Sequence, residues 1–117
     1  LEATTAADLD GVTGDKRGCV LGDGPVVSFM DGATIYDRAL YRMARETADE
    51  NGIPSQTKTA IAGGNDAGAL QRAGQGSAAL AVSLPCRYIH SGASVVQQSD
   101  IDATRALLAA LLPKLYD

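Results

Sequence analysis

A change in hydrophobic period at Asp37 constrains the fold of this chain more than any other feature. From this point, apolar residues recur three and four positions apart and charged residues take the opposite positions, which is typical of an amphipathic helix. Asp37 can cap the first turn, and Asn51-Gly52 followed by Pro54 is a stop signal because Pro cannot continue a helix. We therefore predict a helix over Asp37–Asn51 whose apolar face carries Leu40, Met43, Ala44, Thr47 and Ala48.

Short strand-like segments and further helices lie on both sides of this helix. Val26, Val27 and Phe29 form an apolar run of the length expected for a buried strand. A last helix is predicted over Ser99–Leu112, with Pro113 kinking its final turn. Strands that alternate with helices favour one α/β domain, and the apolar helix faces need a sheet to cover them, so we expect a three-layer α/β/α sandwich. The predicted strands are Leu1–Ala7, Pro25–Met30, Thr57–Ile61, Ala78–Ser83 and Ser94–Gln97.

The segment Gly63–Gly68 is predicted to open a short helix that ends near Gly74. Such a loop can present backbone N–H groups at a helix N-terminus as an anion site. It can equally be a strand-to-helix turn that needs glycine for its dihedral angles, and the sequence weighs the two evenly. The segment has neither the Lys-Ser/Thr of a phosphate-binding P-loop nor a full dinucleotide-binding pattern, so a nucleotide site is disfavoured.

Composition and charge exclude several classes of partner. A net charge of −4 and a pI near 4.8 disfavour binding to nucleic acid, which needs clustered Lys and Arg. No apolar run approaches the roughly 20 residues that cross a bilayer, and no segment resembles a signal peptide, so we expect no membrane partner and a cytoplasmic location. Cys19 and Cys86 lack a CxxC spacing and are expected to be reduced. Leu1–Ala7 already resembles the inside of a strand, so we expect the protein to extend upstream.

His90 is the only histidine and therefore the only imidazole available for chemistry. A lone histidine is more often structural, but His90 follows a predicted strand and a turn at Pro85. Arg87 and Tyr88 precede it, and Ser91 follows it. Loops at strand ends are where α/β sheets place ligands, which raises the weight of a functional role for His90.

Most carboxylates have a plain explanation, and Glu2 is the exception. It lies in an apolar and Thr-rich strand, where an unpaired charge would cost several kcal/mol. A bound metal ion would explain a carboxylate at such a position. The remaining candidates fall on or beside predicted helix faces and are expected to be solvated: Asp49, Glu50, Asp100 and Asp102.

Four segments together match one group of enzymes in order and spacing. They are Leu1–Asp8, Leu21–Asp31, Gly63–Gly68 and Pro85–Ser91, and the Arg-Tyr-Ile-His-Ser run and the glycine loop are the most specific parts. Across nearly its whole length, the chain resembles the tetrahedral aminopeptidases of metallopeptidase family forty-two. That family includes glutamyl, leucyl and deblocking aminopeptidases and some members labelled endoglucanase. The resemblance places residues 1–117 in the C-terminal part of a zinc-peptidase-like catalytic domain.

The resemblance implies two divalent ions, zinc or cobalt, that share a water molecule. His90 matches the family's last metal-binding histidine, and Glu2 falls where the family has an acidic ligand to the other ion. We therefore expect the two side chains to converge near one end of the sheet, with Asp66 at the rim of their cleft. Arg87, Tyr88 and Ser91 are expected to hold His90 in orientation. The implied substrate-binding residues are Gly64, Asn65 and Asp66, although the family usually has Thr at the position of Asn65.

The same resemblance implies that this chain is incomplete as an enzyme. The first histidine, the bridging aspartate, the base glutamate and a further ligand all belong to an upstream part, so no catalytic base is expected here. One ligand for each ion should not hold metal tightly. We expect a peptide substrate, a partner in the missing N-terminal half, and a homo-oligomer that covers the sheet edge, a tetrahedral dodecamer in the intact family.

Two other functions remain to be weighed. A stand-alone binding or regulatory module could keep the fold without catalysis. A glycan hydrolase is disfavoured because such sites usually line a sugar groove with aromatic residues, and this chain has one Phe, four Tyr and no Trp.

Overall fold

A computed structural model describes residues 1–116 and contains a four-stranded mixed sheet. The strand order is β1-β4-β2-β3, with β1 parallel to β4, β2 parallel to β3, and β2 antiparallel to β4. The outer strands β1 and β3 each leave one edge without a strand partner in residues 1–116. The strands are β1 (Glu2–Thr5), β2 (Val26–Val27), β3 (Gln56–Thr57) and β4 (Val82–Cys86).

Within residues 1–116, three α-helices and two short 3-10 helices accompany the sheet. The N-terminus of the first α-helix is capped by Asp37, whose carboxylate accepts a hydrogen bond from the Leu40 N–H at 2.9 Å. No helix of the described residues is long and apolar enough to cross a membrane. The helices are α1 (Arg38–Glu50), α2 (Asp66–Arg72) and α3 (Gln98–Leu111), and the 3-10 helices are Gly14–Arg17 and Leu112–Leu115, the second of which contains Pro113.

The main core lies between one face of the sheet and the two long helices. Val27 of β2 points to this face and is fully buried together with Leu107 of α3. Helices α1 and α3 contact each other as well as the sheet. The predicted packing of both apolar helix faces against a sheet is therefore confirmed. The buried residues of this cluster are Val27, Ala44, Ala48, Val82, Leu107 and Leu111.

A loop rather than a helix pair covers the opposite face of the sheet. Successive strand residues point to opposite faces, so Val26 points away from Val27 and packs with Ala6 and Cys19. Leu21 packs against the same small cluster. The predicted α/β class is confirmed, and within residues 1–116 both long helices lie on one side of the sheet.

Asp100 corrects one prediction, because it is fully buried and not solvated. It lies in the first turn of α3. Its carboxylate accepts hydrogen bonds from the N–H groups of Gly22 at 2.8 Å and Gly24 at 2.9 Å. The partners lie more than 70 positions away in the sequence, so helix periodicity could not reveal them. The loop that leads into β2 is thus fastened to the start of α3.

The strand boundaries also differ from those predicted. Pro85 lies inside β4, where we expected a turn, and it pairs with Thr4 of β1. Strand β2 pairs with β4 only at Val82 and Ser83, so the missing N–H of Pro85 falls beyond that ladder. The predicted strand at Ser94–Gln97 is a single bridge between Val95 and Arg87, and the predicted strand at Thr57–Ile61 reduces to β3.

Candidate functional site

Glu2 lies at the start of the edge strand β1, opposite Ser83 of β4, and is half-buried. Its Oε1 lies 3.4 Å from the backbone nitrogen of Asp66 and accepts a hydrogen bond from it. The structure therefore brings Glu2 and Asp66 together, although they are 64 positions apart in the sequence. The Asp66 side chain is exposed beside this contact.

Asn65 caps helix α2 and joins a polar cluster that the sequence did not reveal. Its Oδ1 accepts a hydrogen bond from the Ala67 N–H at 3.0 Å and lies 3.3 Å from the Tyr36 hydroxyl oxygen. The Tyr36 hydroxyl also lies 2.5 Å from Oδ2 of Asp31. Tyr36 and Asp31 are both buried, so the loop that carries Asn65 is tied to the segment after β2.

The ionisation of this cluster is set by burial and hydrogen bonding. Burial raises the pKa of Tyr36 to about 12, and its hydrogen bond to Asp31 acts in the same direction, so the phenol remains a donor. Burial also acts to raise the pKa of Asp31, but hydrogen bonds from Tyr36, Ala33 and Thr34 outweigh it, and the net pKa is lowered. Asp31 is therefore a carboxylate that accepts from three donors.

The glycine loop Gly63–Gly68 is better explained as a turn than as an anion site. Gly63 has a φ of +69°, which favours glycine. A Cβ at Gly64 would lie 2.9 Å from the Cβ of Ala33, so the two loops are in close contact. The N–H groups of Asp66 and Ala67 already donate to Glu2 and to the Asn65 side chain. The chain's own oxygens thus take the donors that an external anion would need.

His90 lies in an exposed loop that follows β4. The loop is closed at its base by two backbone hydrogen bonds between Arg87 and Val95, of 2.9 and 3.0 Å. Tyr88 and His90 have positive φ values of 58° and 64°, a conformation that non-glycine residues rarely adopt. The His90 residue itself is exposed to solvent.

Ser91 stabilises the turn within this loop. Its hydroxyl lies 2.5 Å from the carbonyl oxygen of Tyr88 and 2.8 Å from that of Ala93. Ser94 donates to the same Tyr88 carbonyl at 3.2 Å. The Tyr88 side chain is exposed. Ser91 therefore acts on the backbone that places His90, and its contact is not with the imidazole.

Arg87 makes a two-pronged ion pair with Asp8 at the base of the loop. The Arg87 Nε lies 2.6 Å from Oδ1 of Asp8, and a terminal guanidinium nitrogen lies 2.9 Å from Oδ2. The Asp8 side chain is only 4% exposed, and its Oδ2 also accepts from the Leu21 N–H at 2.9 Å. The hydrogen bond from Arg87 is the main reason that the pKa of Asp8 is lowered. Sequence reasoning missed Asp8 as a residue of this region.

The donor set fits part of a metal site. A carboxylate and an imidazole are ligand types that suit zinc and cobalt, and Glu2 and His90 are carried by β1 and by the loop after the neighbouring strand β4. Residues 1–116 contain no group of three or more His, Cys, Asp and Glu side chains that could hold an ion. The chain therefore supplies fewer donors than a zinc site needs, and the convergence of Glu2 and His90 stays a prediction.

An apolar groove of about 490 Å³ lies between the three α-helices. It is bordered by Leu40 of α1, Leu70 of α2 and Leu108 of α3, and Leu1 lines it at the start of β1. Leu1 is 77% exposed and Leu70 is 65% exposed. Apolar surface of this kind is typical of a face that another segment or subunit covers.

Solved structures contain the same fold. An aminopeptidase from the archaeon Desulfurococcus kamchatkensis superposes with a TM-score of 0.88 at 30% identity, over 92% of this chain and 31% of that one. A TET1 peptidase from Pyrococcus horikoshii, which can assemble into a tetrahedron or a large octahedral shell, superposes with a TM-score of 0.68 at 33% identity. This second match covers 97% of this chain and 31% of that one.

Sequence comparison gives the same relationship. A lysyl aminopeptidase from Pyrococcus furiosus is 35% identical over 96 residues, which cover 81% of this chain and 27% of that protein. The chain spans about a third of the length of the curated relatives it matches. Residues 1–107 match the family described as M42 glutamyl aminopeptidase. The chain therefore belongs to the M42 aminopeptidase family.

Proposed function

We propose that this chain is the part of a two-metal aminopeptidase domain that contributes one ligand to each of two divalent ions. The match of residues 1–107 to the M42 family carries the proposal, since it includes both Glu2 and His90. The substrate would be the N-terminal end of a peptide, and the reaction would be hydrolysis of its first peptide bond. Because relatives are about three times as long, the remaining ligands and the base would come from sequence outside these residues.

Each part of the site has a distinct task in this proposal. Glu2 would hold one ion from the edge of the sheet, and His90 would hold the other from the loop after β4. When bound, a pair of such ions lowers the pKa of a shared water and polarises the scissile carbonyl. Asn65 and Asp66, with Gly64, would line the substrate cleft. The buried Asp31–Tyr36 pair keeps the capping residue Asn65 in place, which fixes the start of that loop.

The isolated chain is expected to bind zinc or cobalt weakly and to have no aminopeptidase activity. Two protein donors shared between two ions leave each far short of the three or four that hold zinc. The proposal also includes a cytoplasmic homo-oligomer, for which the assembly of the Pyrococcus horikoshii relative provides support. The apolar groove between the helices is a candidate for the surface covered in the complete protein.

The test uses the complete product of the reading frame that contains this sequence. It should hydrolyse amino-acyl nitroanilides, lose that activity to a chelator, and regain it with zinc or cobalt. His90→Ala in the same protein should abolish activity and lower metal content while the thermal midpoint stays within a few degrees, since the loop is exposed. Full activity in the His90→Ala protein would refute the metal-ligand assignment.

A non-catalytic binding module is the second candidate. The observation that favours it is the lack of any three-ligand group within residues 1–116. In that case the complete product would retain peptide binding, measured by calorimetry, but would neither bind two equivalents of zinc nor release nitroaniline. Those results would replace the enzyme assignment.

A further inference from the structure

We propose that Asp8 is a positioning residue for His90, acting through Arg87 on the loop that carries the imidazole. This inference rests on the proposed function, because it assigns a task to Asp8 in metal binding. It differs from a general structural role in one respect: the ion pair should set the affinity of the site for metal. Asp8 was not among the residues that the sequence singled out.

The ion pair joins the ends of two neighbouring parallel strands. Strands β1 and β4 pair from Glu2 opposite Ser83 to Thr5 opposite Cys86, and the Ala6 N–H extends the ladder to the carbonyl of Cys86 at 2.9 Å. Asp8 and Arg87 are the next side chains that connect the two segments. Strand β1 carries Glu2, and the segment after β4 carries His90. The ion pair therefore joins the segment that follows β1 to the start of the segment that carries His90.

Arg87 is fixed in both its backbone and its side chain. Its backbone N–H and carbonyl exchange hydrogen bonds with Val95, which closes the loop around His90. Its guanidinium donates from two nitrogens to the two oxygens of Asp8, and one nitrogen also lies 3.3 Å from the Asp8 carbonyl. A guanidinium held at two points has a defined plane as well as a position, which a single contact would not give.

Asp8 is itself held from a third side. The Leu21 N–H donates a hydrogen bond to its Oδ2, and the Asp8 side chain is only 4% exposed. The carboxylate thus cannot turn away from Arg87 without leaving the Leu21 N–H unpaired. By contrast, the loop beyond Arg87 is exposed and contains two non-glycine residues of positive φ, Tyr88 and His90. The rigid base is what gives this exposed loop a single placement.

The decisive experiment measures metal affinity in the complete product of the reading frame. The variants Asp8→Asn and Arg87→Lys keep the approximate shape of each side chain but remove the two-pronged pair. Each should lower zinc affinity, measured by competition with a chelating dye, by about 10- to 100-fold, the range for residues that orient a metal ligand. With zinc in excess, kcat should fall while KM changes less than about twofold, because Asn65 and Asp66 are untouched.

Two further variants distinguish a positioning role of the ion pair from a purely structural one. The double variant Asp8→Asn/Arg87→Lys should lose no more affinity than the worse single variant, because both changes break one interaction. Glu50→Gln removes the partner of Lys114 in an ion pair of equal length, 2.6 Å, but exposed, and it should leave affinity and kcat unchanged. If the Asp8→Asn variant does not fold, the Arg87→Lys variant alone tests the inference.

The outcomes are separable from the proposed function. If wild-type protein binds zinc, His90→Ala loses it, and both Asp8→Asn and Arg87→Lys retain wild-type affinity with only a lower thermal midpoint, the ion pair is structural and the inference is wrong. If wild-type protein neither binds zinc nor hydrolyses the substrate, the proposed function fails first. A loss of affinity in both single variants that is not additive in the double variant supports the inference.

Discussion

Two loops beside the sheet are held in opposite ways. The loop Leu21–Gly24 donates three backbone N–H groups to the buried carboxylates of Asp8 and Asp100. The loop Tyr88–Ser94 is anchored at its base by Arg87, and the hydroxyls of Ser91 and Ser94 donate to backbone carbonyls within the loop. The first loop therefore contributes stability, whereas the second offers an exposed imidazole that stability alone does not explain. Asp8 connects the two, since its carboxylate accepts from the Leu21 N–H of the first loop and pairs with Arg87 at the base of the second.

The largest expected effect breaks the first loop at Asp100. Asp100→Ala removes the acceptor of the Gly22 and Gly24 N–H groups, and a hydrogen bond to a charged group contributes roughly 1.5–3 kcal/mol. We expect the free energy of unfolding in urea to fall by about 4 kcal/mol. Asp102→Ala, two positions along α3 at an exposed site, is the matched control and should stay within about 0.5 kcal/mol. Equal effects of the two would show that the Asp100 contacts do not stabilise the fold.

A second change tests how closely the first loop packs. At Gly24, which has a φ of +82°, an added Cβ would lie 2.0 Å from the carbonyl oxygen of Pro54. Gly24→Ala should therefore destabilise by about 3 kcal/mol, combining backbone strain with a backbone clash. Gly52→Ala is the control for strain alone, because Gly52 has a φ of +63° and open space around it. It should cost about 1 kcal/mol, and a similar cost at both positions would refute the close approach to Pro54.

Acid should loosen the first loop through Asp8. The pKa of Asp8 is lowered in the folded chain from an ordinary value of 3.8, so its ion pair stabilises the fold above that value. The stability is lost as the pH falls below about 4, through the folded pKa. Thermal midpoints of the wild type should fall more steeply between pH 5 and 2.5 than those of Asp8→Asn, which has no proton to bind. Parallel pH profiles would contradict this role.

Alkaline pH tests the cluster of Asp31, Tyr36 and Asn65, whose stability is lost as the pH rises and not as it falls. The pKa of Tyr36 is raised from 10.0 to about 12 by burial and by its hydrogen bond to Asp31. Its contribution to stability is fully present below pH 10 and is lost as the pH rises towards 12, because the unfolded phenol ionises first. Tyr36→Phe should remove this alkaline loss and cost about 1 kcal/mol at pH 7, measured by urea unfolding. Tyr116→Phe, at an 88% exposed position, should leave the alkaline profile unchanged.

Some features of the fold could be predicted from the sequence, and others could not. The helix α1 and its Asp37 cap were predicted correctly because all of the signals are local to about 15 residues. The burial of Asp100 and the Asp8–Arg87 pair join segments that are 76 to 79 positions apart, and nothing local marks them. Pro85 was predicted to lie in a turn. A proline is tolerated within β4 because the ladder to β2 ends before it, and the sequence does not show where that ladder ends. The metal-ligand roles proposed for Glu2 and His90 rest on the resemblance and not on periodicity.

The smallest expected effect lies in the second loop, at Ser91. Its hydroxyl bonds the Tyr88 carbonyl, but Ser94 serves the same carbonyl, and both serines are exposed to water that can replace them. Ser91→Ala should therefore change the free energy of unfolding by less than about 0.5 kcal/mol. If the loop's placement matters for function, the Ser91→Ala/Ser94→Ala double variant should lower zinc affinity in the complete protein more than the two single variants together, because the carbonyl then has no side-chain donor. Loss of several kcal/mol from Ser91→Ala alone would mean that the second loop stabilises the fold as the first does, and the contrast between the two loops would no longer hold.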